Sequence, residues 1–174
     1  MKLNNDNIKL RAPEMQDIEL LYNWENDESI WYLSQTNIPF SRFDLEQFIL
    51  NSNHDVYSDK QFRFMIEKIE TKEVVGCIDL FDFDPKNRRA GVGILVEDKF
   101  RRQGFASMAL DIFINYGFKQ LNLHQLFCNI LSSNTKSLIL FKRKQFSIIG
   151  VKKDWVFFND KYHDEILLHL IRKN

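Results

Sequence analysis

The stretch from Gly93 to Leu110 reads G-I-L-V-E-D-K-F-R-R-Q-G-F-A-S-M-A-L and carries the residue types of an anion site. A β-branched run enters a short charged turn with Arg101, Arg102, Gln103 and Gly104, and a helical pattern starts at once. The first turn of a helix leaves about four backbone N–H groups unpaired, at the positive end of the helix dipole. Gly104 lets a ligand approach the main chain with no Cβ in the way, and Ala106 keeps the next turn small. Arg101 and Arg102 add positive charge beside these amides. The phosphate-loop pattern ending in Gly-Lys-Ser/Thr is missing. Gly91-Val92-Gly93 is half of a dinucleotide fingerprint, and it lies within a strand pattern rather than after one. A diphosphate laid over a helix start with a single glycine fits the window best. The plain alternative is an arginine-rich helix start that binds nothing.

Other residues with chemical potential are scattered. Asp79 stands in an otherwise apolar strand pattern, where a carboxylate is either paired or beside a cleft. Asp82 and Asp84 sit near a turn, as solvated carboxylates do. Glu25, Asp27 and Glu28 precede an irregular segment, 29–41, that holds Trp31, Tyr32 and Phe40. His54, His124, His163 and His169 have no metal-ligand spacing, and no metal is expected. Cys77 and Cys128 each lie in an apolar run, which suits a reduced compartment better than a disulfide framework.

The elements that must position these residues follow from periodicity. Strands are expected at 8–12, 62–69, 74–83, 89–96, 126–131, 146–151 and 166–171, the last two around a hairpin at 159–161. Helices are expected after Asp17 as a cap, at 44–50, at 104–119, and at 135–144 with Asn134 as its cap. Phe105, Ala109, Ile112, Phe113 and Tyr116 mark the buried stripe of the long helix. The pattern predicts an α/β (α+β) fold: one mixed, mostly antiparallel sheet flanked by helices, in a single domain over 1–174.

Composition narrows the class. Lys plus Arg and Asp plus Glu both total 24, so no global field draws nucleic acid or an acidic membrane. No run approaches the roughly 18 apolar residues of a membrane span, and Met1 to Asn5 lacks the apolar stretch of a signal peptide. A cytoplasmic protein, monomer or homodimer, is the expectation.

Arg101-Arg102-Gln103-Gly104-Phe105-Ala106 resembles the Arg/Gln-x-x-Gly-x-Gly/Ala signature of the GCN5-related N-acetyltransferases, the GNAT superfamily. The block from Asn134 to Phe146, N-T-K-S-L-I-L-F-K-R-K-Q-F, resembles that family's Asn-x-x-Ser…Leu-Tyr-x-x-x-Gly-Phe. The opening Ile8-Lys9-Leu10-Arg11 followed by Asp17 is similar to its usual start. Asn87-Arg88-Arg89-Ala90 and Tyr162-His163-Asp164-Glu165-Ile166 point to the branch of spermidine and ribosomal-protein N-terminal acetyltransferases.

The resemblance implies acetyl-CoA as co-substrate, lying in a V-shaped splay between the fourth and fifth strands. Leu95 and Val96 would hold the pantetheine through the main chain, the amides 102–107 the diphosphate, and Asn134 the pantetheine arm. Phe141 would pack beside the thioester, and Lys142 and Arg143 would reach a phosphate or simply face solvent. Phe141 stands where many relatives have a proton-donating Tyr. Ser137 is then the candidate acid, with Tyr162 or no protein donor as the other readings. Gly91 stands where relatives often have Glu, which leaves Asp79 as the candidate partner of the amine. Gln145 replaces a usual Gly and implies a modified helix exit. The implied acceptor is a small-molecule amine or a protein N-terminus, with Glu28, Trp31 and Tyr32 on its wall. Ser34-Gln35-Thr36 replaces an acidic pair of the spermidine enzymes, which weakens a polyamine reading but keeps a polyamine among the expected acceptors. A non-catalytic or slow acyl-CoA-binding sensor is the rival function.

Overall fold

The computed structural model describes residues 2–34, 37–51 and 55–173. Strand β1 (Ile8–Arg11) leads through a 3-10 turn at Met15–Asp17 into α1 (Ile18–Glu25). A second 3-10 turn at Glu28–Ile30 runs into α2 (Trp31–Ser34), followed by α3 (Arg42–Asn51) and the single turn α4 (Val56–Asp59). Then come β2 (Phe62–Lys68), β3 (Val74–Asp84), β4 (Arg89–Val96) and the long α5 (Phe105–Lys119). The chain ends with β5 (Gln125–Leu131), α6 (Thr135–Arg143), β6 (Ser147–Phe158) and β7 (Lys161–Ile171). The seven strands form one sheet in the order β1-β2-β3-β4-β5-β7-β6. Only β4 and β5 pair in parallel, as a strand–helix–strand crossover through α5 requires.

Side-chain alternation divides the sheet into two faces. Ile78 and Leu80 of β3, Ala90 and Val92 of β4, and Leu126 and Cys128 of β5 pack under α5 and α6. There they meet Phe105, Ala109, Ile112 and Phe113, the predicted stripe, together with Phe141. The fully buried Phe113 alone contributes about 2–3 kcal/mol of transfer free energy. On the opposite face Met65 and Cys77 pack against Leu21 of α1 and Leu45 and Ile49 of α3. Asp79 and Phe81 follow Cys77 on that second face, opposite Gly93 and Gly91 of β4.

Several local expectations are corrected. The last two strands are each about twice as long as predicted. Charged residues and the register shift between Lys152 and Val156, with Asp154 at φ 50°, break the alternation that would have shown their length. The segment 29–41 contains helical turns. Asp17 occupies the cap position of α1 but makes no capping bond to it. Its carboxylate instead accepts bonds from Arg11 (2.7 and 2.9 Å) and from the Glu14 amide. Gln145 keeps the helix exit unmodified, because it takes the left-handed conformation (φ 67°) natural to glycine.

Candidate active site

The site begins where β4 and β5 part. They are paired only at Arg89↔Gln125, Ala90↔Leu126 and Gly91↔Phe127, after which β4 runs on to Val96 and β5 to Leu131. The result is the predicted V. The Glu97 amide donates to the Val75 carbonyl at 3.0 Å, so odd-numbered main-chain groups of β4 face β3. By the two-residue alternation, those of Ile94 and Val96 face the opening. The expected pair is therefore divided. Val96 lies on the open side, where its carbonyl accepts a bond from Arg101 Nε (3.0 Å), while the Leu95 main chain belongs to the β3 ladder opposite Cys77.

At the end of β4 the chain folds into a cradle of amides. Arg102 (φ 64°) and Gly104 (φ 87°) are both left-handed, and left-handed residues in a turn are the kind of backbone that can gather N–H groups into an anion-binding concavity. The first main-chain bond of α5 is from Met108 N–H to Gly104 C=O at 3.0 Å, and no side chain caps the helix start. The amides of Phe105, Ala106 and Ser107 precede that bond. A Cβ at Gly104 would meet nothing within 4 Å, so the cradle is open. These features fit a diphosphate. Arg101 is a correction: it is spent on Asp98 (2.6 Å) and Val96, so it builds the loop rather than adding free charge. Gln103 does the same through Lys99 C=O at 3.0 Å, and Arg102 is exposed.

Across the V, Asn134 caps α6 by accepting the Ser137 amide at 3.1 Å, which leaves its Nδ2 as a donor. Ser137 is half-buried in that first turn. Phe141 is buried and meets Phe146 edge-on, with centroids 5.0 Å apart. Tyr162 is exposed and packs on Phe157 at the β6–β7 hairpin.

The α1/α3 face of the sheet holds the other candidate residues. Both Asp79 oxygens accept bonds from Arg63 (2.7 and 2.9 Å), and Arg63 also bonds Glu25 at the end of α1. Asp79 is thus both paired and partly open, with its side chain 29% exposed. Burial works against the Arg63 charge, but Asp79 and Glu25 outweigh it and hold the guanidinium well above its ordinary range. Trp31 turns its indole N–H back onto the Glu25 carbonyl (2.8 Å). Tyr32 stacks on Phe158 at 4.3 Å, and Phe158 on His163 at 3.7 Å. Glu28 is exposed in its 3-10 turn. Gln35, Thr36 and His54 lie outside the described residues. Among the described residues no group of three His, Cys, Asp or Glu converges as metal ligands, and no helix is long and apolar enough to cross a membrane.

Arg63 and Phe81 escaped the sequence reading. Arg63 had a visible signal: a lone cation between Phe62 and Phe64, facing Asp79 once the hairpin register is drawn. Neither cysteine is a nucleophile, since burial pushes each thiol up to about 12.

A strand pair splayed beside an open turn at a helix start can seat an extended ligand that carries a diphosphate, as an acyl-CoA does. Residues 7–147 match the acetyltransferase (GNAT) domain. The chain belongs to that family, and it is an acetyl-CoA-dependent N-acetyltransferase that moves the acetyl group to an amine. It is 24% identical to spermidine N(1)-acetyltransferase of Vibrio cholerae over 97% of this chain and 95% of that protein. It is 26% identical to the Escherichia coli K12 spermidine N(1)-acetyltransferase over 91% and 83%. Its fold matches the crystal structure of the Vibrio cholerae enzyme in complex with CoA and spermine, with TM-score 0.85, 24% identity and 96% of both chains covered.

Proposed function

We propose that the single domain 1–174 acetylates a primary amine of a polyamine or a similar small cation by direct attack on acetyl-CoA. The observation that carries this is the open β4–β5 V ending at the amide cradle. In this reading the pantetheine arm lies along Val96 and Asn134, and the diphosphate on the amides of Arg102 to Ser107. The acceptor enters across the α1/α3 face. An alkylammonium has a pKa of about 10.4, so removing its proton near pH 7 costs roughly 4–5 kcal/mol. Asp79 draws the ammonium in, and water in the open cleft carries the proton away. The amine lone pair attacks the thioester carbon, the C–S bond breaks, and the thiolate leaves with a proton from Ser137 or water. An acyl-cysteine route is closed by the buried, protonated thiols.

The acceptor class rests on charge. Glu25 and Asp79 share one guanidinium and keep a net negative charge, and Asp27 and Glu28 are exposed at the rim. The full-length likeness to spermidine enzymes supports the same class. Trp31 and Tyr32 favour a second reading, an aromatic amine or a peptide N-terminus. We place the protein in the cytoplasm, where acetyl-CoA and reduced thiols coexist, as a monomer or as a homodimer through the edge strand β6 with its exposed Ile149 and Val151. The test is thiol release from acetyl-CoA against spermidine, putrescine, an aromatic amine and an N-terminal peptide. Spermidine is expected to give the highest kcat/KM, and Ser137→Ala to lower kcat about 10²-fold. Release with none of the amines removes the proposal.

A further inference from the structure

Gly91 and Gly93 stand on the α1/α3 face of β4, and the next strand fills the space they leave. A Cβ at Gly91 would come within 2.3 Å of the Phe81 ring, and one at Gly93 within 3.8 Å. Phe81 is the register partner of Gly91 on β3, and the ladder shifts immediately after it, with Asp82 at φ 49°. Such a bulge aims a side chain away from its regular direction. The ring meets Phe127 edge-on, with centroids 5.8 Å apart, and Phe127 is the partner of Gly91 on β5. The two rings therefore bridge the last rung shared by β4 and β5, the point at which the V opens. Both are half-buried, so each keeps an open surface. Asp79 lies on the same face, its Cβ 4.0 Å from the place a Gly93 Cβ would take.

We propose that Phe81 is a specificity-determining residue of the acceptor site, a platform on which the carbon chain of the amine lies with its nitrogen between Asp79 and the V. This rests on the small-amine reading above. A flat ring binds methylenes or an aryl group by burial, and its π face attracts an ammonium. It also lowers the local dielectric, which favours the neutral, reactive amine. Gly91 is bare because any side chain there would displace the platform. The preferred substrates are amines with a substantial alkyl or aryl segment next to the reacting nitrogen, over short ones such as methylamine.

The experiment measures kcat and KM for methylamine, 1,3-diaminopropane, putrescine and spermidine in the wild type, Phe81→Leu, Phe81→Ala and Gly91→Ala. Circular dichroism and the acetyl-CoA KM serve as controls for folding and the donor site. Phe81→Ala is expected to raise KM for the longer amines about tenfold or more, to move that of methylamine little, and to change the acetyl-CoA KM less than twofold. Phe81→Leu restores part of the loss, and Gly91→Ala reproduces it by pushing the ring aside. Equal KM values for the long amines in wild type and Phe81→Ala overturn the inference. So does an acetyl-CoA KM that rises in step with the acceptor KM, which marks a structural role. A wild type that turns over no amine is seen before any variant is compared, and it overturns the function together with the inference.

Discussion

Gly104 joins an unusual backbone conformation to open space. At φ 87° an L side chain is strained, at a cost of about 1–2 kcal/mol, yet the space around its Cβ position is empty. Arg102, at φ 64°, carries a similar cost without a glycine's freedom. Gly104→Val therefore loses a little stability and much affinity, because its side chain enters the volume a diphosphate needs. Calorimetric titration is expected to show CoA binding weakened at least about tenfold, with a Tm drop of only a few degrees. Unchanged affinity would place the diphosphate elsewhere. Asn134 accepts the Ser137 amide within one turn of helix, which is why this cap was legible in the chain.

At the scale of elements, the exit of α6 is held by a residue unsuited to it. Gln145 sits left-handed at φ 67°, where its amide bonds the Lys142 carbonyl at 2.9 Å and the Phe146 amide reaches Phe141 C=O at 3.1 Å. Its side chain makes one exposed bond, to Lys173 at 3.1 Å. Gln145→Gly relieves the strain but loosens the unfolded chain, for a net gain of about 1 kcal/mol. Thermal unfolding is expected to shift up by roughly 2–4 °C with kcat unchanged. A lower Tm would mean that the side chain holds more than its single bond suggests.

At the scale of the whole molecule, two partly buried guanidinium networks fasten helical segments to the sheet. Arg63 ties the end of α1 to β3 on the α1/α3 face of the sheet. Arg11 ties β1 to Glu67 of β2 and to Asp17 before α1, with Lys9 also on Glu67 at 2.9 Å. Burial alone would raise the Glu67 carboxyl, but Arg11 and Lys9 outweigh it and hold it below the usual glutamate range. A carboxylate with a lowered folded pKa contributes stability above its unfolded pKa and loses it as pH falls through the folded value. Wild-type stability should therefore decline below about pH 4. Arg11→Ala leaves the buried Asp17 without its cation and Glu67 with Lys9 alone, and is expected to cost about 3–5 kcal/mol near pH 7. In that variant Glu67 keeps only Lys9 and takes up a proton more readily than in the wild type, so the gap to wild type should narrow on acidification. Urea unfolding at several pH values measures this, and a constant gap would show that the network does not bind protons differently on folding.

What the sequence by itself determined is what is local in the chain: the strand-to-helix cradle at 101–107, the Asn134 cap, the stripe of α5 and the order of elements. Each depends on residues within a turn or two of one another, and period and punctuation expose such relations. The tertiary structure alone decided the rest. Which of Leu95 and Val96 faces the V depends on the phase of the β3–β4 ladder. That Asp79 is held by Arg63, and that Phe81 covers Gly91, depends on strands brought side by side. Residues 10 or more positions apart meet only after the register is set, because chain spacing carries no information about the neighbour across a hydrogen-bonded rung.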